Sequence, residues 1–509
     1  MAPQRRTGGD SYIFIGRQPK YGTPITGANV FDGAAPDWSD PQAIVAKLIR
    51  NHFVFTRNTL DPTAEETESE SIIGGGATPE SIISKRGGGG EWEFELLPDD
   101  AIHLLLGWFN PTTLPTNEPK TSGEPGYILR DYEIPAGKVG AIENKSITID
   151  TDDETALARW PGRLKLTLTG NAGAGTIRVV GQKRGSRSNQ FNTAVTEEVA
   201  VADGAADITT QNFLHRVDKL IFSGFTTDPT AVTPTFIPDT ELAILKLNEN
   251  NNPFDGWSSQ MLKAATPYIA YNIIPNLFRL SIGANIRLLL GLLASYVQEA
   301  RSLADPTIVA NTLANLRTQD GILSKYPRRP LNFYPSLGTA VVLGEPDESL
   351  DDLVARIDGD NAPEPIAVTS VDIEGNHNYV DPEGFTGDPL AGQPVTSETE
   401  TRTVTVNASI YHETDDAAED NETVHWQDIY FEKRKVPIVI RNYNWLSNGR
   451  QVLVESRFAN CGLTEVPGLP IEGRGSVTRN LAFQANPSVG SAIPDEISML
   501  FYSEKGFAE

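Results

Sequence analysis

The sequence predicts a mainly β protein, and three observations carry that expectation. Short segments that alternate polar with apolar residues recur along the chain, they stop at turn-forming residues, and helical periodicity is confined to a few places. "SYIFIG" (11–16), "EWEFEL" (91–96), "RLKLTLTG" (163–170), "TIRVVG" (176–181), "KLIFSG" (219–224), "TVTVNASIY" (403–411) and "VPIVIRNYNW" (436–445) are all rich in β-branched or aromatic residues.

In "EWEFEL" the period of two places Trp92, Phe94 and Leu96 on one face and Glu91, Glu93 and Glu95 on the other, the pattern of a half-buried strand with an acidic solvated side. The next residues, "LLPDDAIHLLLGWF", predict a helix over 98–106. Pro98 suits a first helical position, Asp99 and Asp100 lie where the helix dipole favours negative charge, and Gly107 ends the run. Two more helices are predicted over 40–52, after Ser39, and over 305–317, where Asp305 caps and Pro306 opens the first turn. The glycine runs at 74–76 and 87–90 belong to no GxGxxG or Walker pattern and read as flexible turns. The acidic stretches 60–90, 345–360 and 413–422 read as surface loops, the second with room for a short helix.

At 509 residues the chain exceeds one ordinary core. Residues 159–228 are strand-rich and small-residue-rich, bracketed by the loop-like "TDDETALARWPG" and "TTDPTAVTPTFIPD". They are read as an inserted β-sandwich of about seventy residues, near the lower size at which a domain folds alone. The flanking pieces, 1–158 and 229–509, then form one core interrupted in sequence, because exposed loops tolerate insertion.

Charged residues make up 21% and hydrophobic residues 39%, the balance of a globular protein rather than a disordered one. With 67 acidic against 42 basic residues the formal net charge is -25, so the surface as a whole repels nucleic acid and anionic lipid. A single cysteine, Cys461, excludes an intrachain disulfide and a cysteine-based zinc site and fits a reducing compartment. The first twenty residues lack the apolar core of a secretory signal, and the apolar run at 286–297 is too short and interrupted to span a bilayer, so a soluble protein is expected.

The six histidines, His52, His103, His215, His377, His412 and His425, form no HExxH pair, and His412 beside Glu413, Asp415 and Asp416 has the wrong oxygen spacing for a calcium loop. No GxSxG elbow is present, and no carboxylate pair stands out for glycosidic cleavage. The expectation is a chain without catalytic residues, cofactor or metal.

Taken in order, the glycine-rich loop, the 91–96 strand, the "LLPDDAIHLLLGWF" helix, the late pair "VPIVIRNYNW...RQVLVESRFANCGLTEVP" and "GRGSVTRNLAFQA" (473–485) resemble the major tail tube protein of long-tailed bacteriophages. The resemblance covers most of 10–110 and 240–500 and leaves the insert aside. It implies a β-sandwich with a flanking helix whose long hairpins join those of neighbouring copies into a barrel around a channel. It further implies six-membered rings stacked into a tube, in the virion tail, assembled in the host cytoplasm. The implied partners are further copies of the chain, tail terminator, baseplate and sheath proteins, and genomic DNA passing through without specific binding.

On that resemblance, the segments 53–60 and 91–96 make one channel hairpin, and 279–295 with either 402–411 or 437–445 supplies further channel strands. Glu91, Glu93 and Glu95 are the candidate channel-lining residues, where their charge repels phosphates; Val477, Leu481 and Phe483 are candidate core residues of the closing strand. The insert resembles immunoglobulin-like decorations on phage structural proteins. Its "KRGSR" patch (183–187) reads as a solvated loop, with contact to cell-surface glycan as the alternative. Two competing functions remain: a distal tail or baseplate ring protein with the same fold, and a carbohydrate-binding β-protein.

Overall fold

The computed structural model describes residues 12–17, 52–53, 55–67, 82–96, 101–110, 132–151, 161–170, 173–183, 193–237, 241–247, 259–264, 269–283, 286–296, 339–357, 365–380, 398–399, 402–411, 422–445, 449, 451–466, 478–487 and 496–503. These residues are mainly β, as the sequence predicts. The first part supplies β1 (Tyr12–Arg17), β2 (His52–Phe53), β3 (Arg57–Asn58), β4 (Asp61–Thr67), β5 (Ile82–Glu95) and helix α1 (Ala101–Phe109). The middle supplies β6 (Tyr132–Glu133), β7 (Ser146–Thr148), β8 (Gly162–Thr169), β9 (Gly175–Lys183), β10 (Thr193–Val201), β11 (Asp207–Leu214), β12 (Arg216–Ser223) and β13 (Ala231–Ile237).

The last part begins with β14 (Glu241–Lys246), β15 (Ser259–Ala264), β16 (Ile269–Ile282), β17 (Ile286–Tyr296), β18 (Thr339–Leu343) and helix α2 (Leu350–Ile357). It continues with β19 (Val368–Asn376), β20 (Tyr379–Val380), β21 (Glu398–Thr399), β22 (Thr403–Tyr411), helix α3 (Glu422–Phe431), β23 (Val436–Trp445), β24 (Gln451–Leu463), β25 (Thr478–Ala485) and β26 (Ser498–Ser503).

Among the described residues, 16 strands form one sheet. One stretch of it runs β5–β17–β16–β19–β22–β25 and another β14–β26–β24–β23–β18, and the two meet where Cys461–Leu463 of β24 pairs with Ala485–Phe483 of β25. Both stretches bury their apolar faces in one core: Trp92, Phe94, Phe278, Leu290 and Phe483 come from the first, and Ile438, Val454, Phe458 and Phe501 from the second. The first layer is half-buried, whereas the second is covered on its other side too, where Val342 and Val439 pack on Leu353 and Val354 of α2; layers facing a shared interior are the sandwich solution for apolar sheet faces.

Helix α1 packs into this core with Leu104, Leu105, Leu106, Trp108 and Phe109 all buried. It runs past Gly107, the residue expected to end it, because Trp108 and Phe109 on the next turn are themselves core residues. The stop comes at Asn110, whose φ of 43° is the left-handed conformation asparagine tolerates and whose N–H still bonds the Leu106 carbonyl at 2.9 Å. The short helix foreseen in 345–360 is α2, with the Ser349 hydroxyl accepting from the Asp352 N–H at 3.1 Å as its cap. The helices expected over 40–52 and 305–317 lie outside the described residues, except that His52 begins β2.

The middle strands build a separate two-sheet sandwich, β10–β9–β12–β7 against β11–β8–β13–β6, around a core of its own that includes Leu164, Leu166, Ile177, Val179, Leu220, Phe222 and Phe236. Its strands reach from Tyr132 to Ile237, beyond the 159–228 range at both ends. "TTDPTAVTPTFIPD", read as a loop, contains strand β13, in which Val232 and Phe236 point inward. Pro234 is accommodated there because its carbonyl accepts from the Ile134 N–H at 3.0 Å, on the side where the neighbouring strand is only two residues long. The chain enters this sandwich after α1 and returns to the main sheet at β14, which pairs with β26.

Candidate functional site

The strongest candidate is the outward face of the first layer. In β5 the alternation holds as read: Trp92, Phe94 and Leu96 are buried, Glu91 is exposed, and Glu93 and Glu95 are half-buried. β3 pairs with the same strand through Arg57 opposite Glu93 and Asn58 opposite Trp92, so the segments 53–60 and 91–96 are hairpin neighbours. On the other edge lies the β16–β17 hairpin, whose β17 pairs Arg287 with Glu95, Leu289 with Glu93 and Gly291 with Glu91. Of the two strand segments proposed to continue this surface, 402–411 is β22, in the same layer, whereas 437–445 is β23, in the other.

The glycines at 87–90 are not a flexible turn. They lie inside β5 and pair on both sides, Gly88 and Gly89 with Pro62 and Asp61 of β4 and Gly88, Gly89 and Gly90 with Ala294, Leu293 and Leu292 of β17. Gly90 has a steric reason to be glycine: a Cβ there would lie 2.5 Å from the Leu60 Cα, a backbone atom that cannot move aside. Leu60 is fully buried at this corner, where β3 gives way to β4, and the Asn58 side-chain oxygen accepts the Leu60 N–H at 2.9 Å. The described parts of the acidic stretch 60–90 are therefore the antiparallel ribbon β4–β5 rather than a loop, and 68–81, with the glycine run at 74–76, lie outside the described residues.

Across the layer, outward residues form rows. One runs Glu93, Leu289, Arg279, Glu374, Thr405, Gln484, and the next Glu95, Arg287, Ser281, Asp372, Asn407, Ala482. The face is not a bare glutamate wall. Arg287 bonds Glu93 at 3.0 Å, Arg57 stands 3.6 Å from Glu91, and the Arg279 Nε donates to Glu374 at 2.8 Å, a bond that raises the arginine's already high pKa. Ser281 donates to Asp372 at 2.5 Å. Among the described residues the face carries six carboxylates, Asp61, Glu91, Glu93, Glu95, Asp372 and Glu374, against the three guanidinium groups of Arg57, Arg279 and Arg287, leaving it acidic by three charges. The three arginines reach this face through strand register and were not singled out in the sequence.

Of the other predicted residues, Leu481 and Phe483 are both buried on β25, and Val477 lies outside the described residues. Lys183 ends β9, and the rest of the "KRGSR" patch lies outside the described residues.

Two buried polar groupings support the layers without opening to solvent. His377 is fully buried between the Trp108 and Tyr379 rings, 4.5 and 4.8 Å from their centroids. Its Nε2 lies 2.7 Å from the Trp108 carbonyl, which can only accept, so Nε2 carries the proton. In the other layer Glu455 is fully buried and joined to Arg441 at 2.5 Å and to Arg457. Among the described residues no group of three His, Cys, Asp or Glu side chains is placed to hold a metal ion.

No protein-family model and no curated protein matches the chain. Among solved structures, a chain from the virion of a native gene transfer agent particle is similar at 14% identity over 28% of this chain and 88% of that chain, with a TM-score of 0.16, a likeness too slight to bear on function.

Proposed function

We propose that this chain is a virion structural protein of the tail-tube type, in which copies join into rings, six to a ring, and the rings stack into a tube that conducts DNA. The observation that carries the reading is the six-strand layer with one polar face. Two neighbouring hairpins contribute adjacent strands to it, and a helix is buried on its other side. Among the described residues this sheet does not close on itself: β4 pairs only with β5 and β14 only with β26, and β18 pairs with β23 and has no more than a single bridge, Val341 to Ile366, on its other side. Open edges of this kind are relieved by pairing with further copies, and ring closure does so without leaving an edge to aggregate.

In this reading the polar face lines the channel, with Glu91, Glu93 and Glu95 among its lining residues, and its excess of carboxylates keeps DNA from adhering. The separate sandwich projects to the outside. The role is structural and calls for no catalytic residue or cofactor. The test is negative-stain electron microscopy of the purified protein, concentrated and aged for several days. Hollow filaments with a regular axial repeat are expected. Single rings that never stack would move the assignment to a baseplate-type ring, and monomers under all conditions would overturn it.

A further inference from the structure

The three ion pairs on the polar face pose a question of their own. Their side chains are substantially solvent-exposed: 49% for Arg279, 53% for Arg287 and 58% for Arg57. Pairs so exposed contribute at most about 1 kcal/mol each to stability. Stability is thus a weak account of why three arginines stand on this face, each beside a carboxylate. Their chemistry is more telling. A guanidinium presents a planar fork of donors that fits a phosphate as well as it fits a carboxylate.

Resting on the channel reading above, we propose that Glu374, Glu93 and Glu91 act as internal counter-ions that occupy Arg279, Arg287 and Arg57, so that passing DNA finds no open guanidinium to hold it. The geometry favours this over simple repulsion. Arg279 and Glu374 are directly opposite in register, and the Arg279 fork bonds the Glu374 carboxylate through both Nε and Nη2. Glu93 is the more covered partner of its pair, with 19% of its side chain exposed, so its carboxylate is held where Arg287 reaches it. Repulsion from a net excess of three charges would be screened within about 8 Å at physiological salt. A guanidinium already bonded to a carboxylate is blocked at contact distance, where a phosphate would have to bind.

The prediction is a gain of DNA binding at constant shape. Changing Glu374, Glu93 and Glu91 together to glutamine leaves three carboxylates against three guanidinium groups and strips each arginine of the carboxylate it is bonded to or stands beside. The experiment measures binding of a fluorescent DNA duplex of about 30 base pairs to the purified full-length chain by anisotropy at about 50 mM salt. The triple variant is expected to bind at least about tenfold more tightly than wild type, and to lose about fortyfold in affinity between about 50 and 200 mM salt, as three phosphate contacts require. Adding Arg279→Gln, Arg287→Gln and Arg57→Gln is expected to return binding to the wild-type level.

A triple variant that binds no better than wild type, with an unchanged circular dichroism spectrum, overturns the proposal. So does binding that survives loss of the three arginines. The same preparations examined by electron microscopy separate the two readings: tubes without the gain in DNA binding refute the counter-ion role alone, and absence of rings and tubes refutes the channel reading, whatever the anisotropy shows.

Discussion

The Trp108 ring meets the Phe278 ring edge-on, with centroids 4.5 Å apart and planes at 78°, and its indole N–H reaches the Asn276 carbonyl at 3.3 Å. Helix α1 and strand β16 are thereby locked together by an aromatic contact and a hydrogen bond at one point. Gly375 on β19 makes the contact possible, since a Cβ there would lie 2.3 Å from a Phe278 ring atom and 2.4 Å from a Trp108 ring atom.

Two substitutions with opposite chemistry should therefore both lower stability. Trp108→Ala leaves a cavity in a fully buried site and is expected to cost about 3–5 kcal/mol. Gly375→Ala adds a single carbon and is expected to cost about 1–3 kcal/mol through overpacking. Urea denaturation of the full chain checks both: the midpoint should fall in each variant, by more in Trp108→Ala. A midpoint unmoved by Gly375→Ala would show that the two rings can give way.

The Arg441–Glu455–Arg457 grouping sits on the other layer. Burial opposes the charge on Glu455, but the two guanidinium groups outweigh it and hold the carboxyl pKa below the usual range. A depressed carboxylate pKa contributes stability that is present above the unfolded value and is lost as pH falls through the folded value. Glu455→Gln removes the buried carboxylate charge that faces two guanidinium groups and is expected to cost about 3–5 kcal/mol at neutral pH. Melting temperatures of wild type and variant should converge as the pH is lowered into the carboxylate range. Parallel curves would show that Glu455 is not the group involved.

His377 gives a pH dependence at higher pH. Burial, aided by the charge of Arg402 and opposed by the bond to the Trp108 carbonyl, lowers its pKa to about 4. The unfolded imidazole titrates near 6.5, so between about pH 6.5 and 4 the unfolded chain takes up a proton that the folded chain refuses, and stability falls as pH falls through that window, by about 3 kcal/mol in all. His377→Phe keeps a ring between Trp108 and Tyr379, lowers stability at neutral pH through loss of the hydrogen bond, and should flatten the dependence over that window. Equally steep profiles for the two proteins would assign it to another group.

What was legible in the sequence was local. The two faces of β5 could be read from "EWEFEL" because a half-buried strand writes its burial in every second letter. The same rule misses β17, "IRLLLGLLASY", where Leu289 and Leu293 stand on the outward side and break the alternation. Glu455 looks like an ordinary outward residue in "QVLVESRFANC", since the arginine opposite it arrives only through pairing with β23. The arginines that neutralise the glutamate face were invisible for the same reason: Arg57, Arg279 and Arg287 come from three strands whose register no local pattern reveals.

The glycine run shows the difference most sharply, because its four members read alike in sequence and differ in the fold. A Cβ at Gly89 would meet the Leu292 carbonyl oxygen at 3.6 Å, an ordinary contact, whereas one at Gly90 would press on the Leu60 backbone at 2.5 Å. Gly89→Ala is therefore expected to change stability by less than about 1 kcal/mol, with either sign, since it also restricts the unfolded chain. Gly90→Ala must displace the corner between β3 and β4 and with it the pairing of Asp61–Thr67 to β5. Hydrogen exchange should show faster exchange at the amides of β4 in Gly90→Ala and no change in β8 or β9 of the separate sandwich. Under the proposed function, the same variant should stop ring and tube formation while Gly89→Ala assembles normally. Assembly by both variants would mean that the β4–β5 ribbon takes no part in joining one copy to the next.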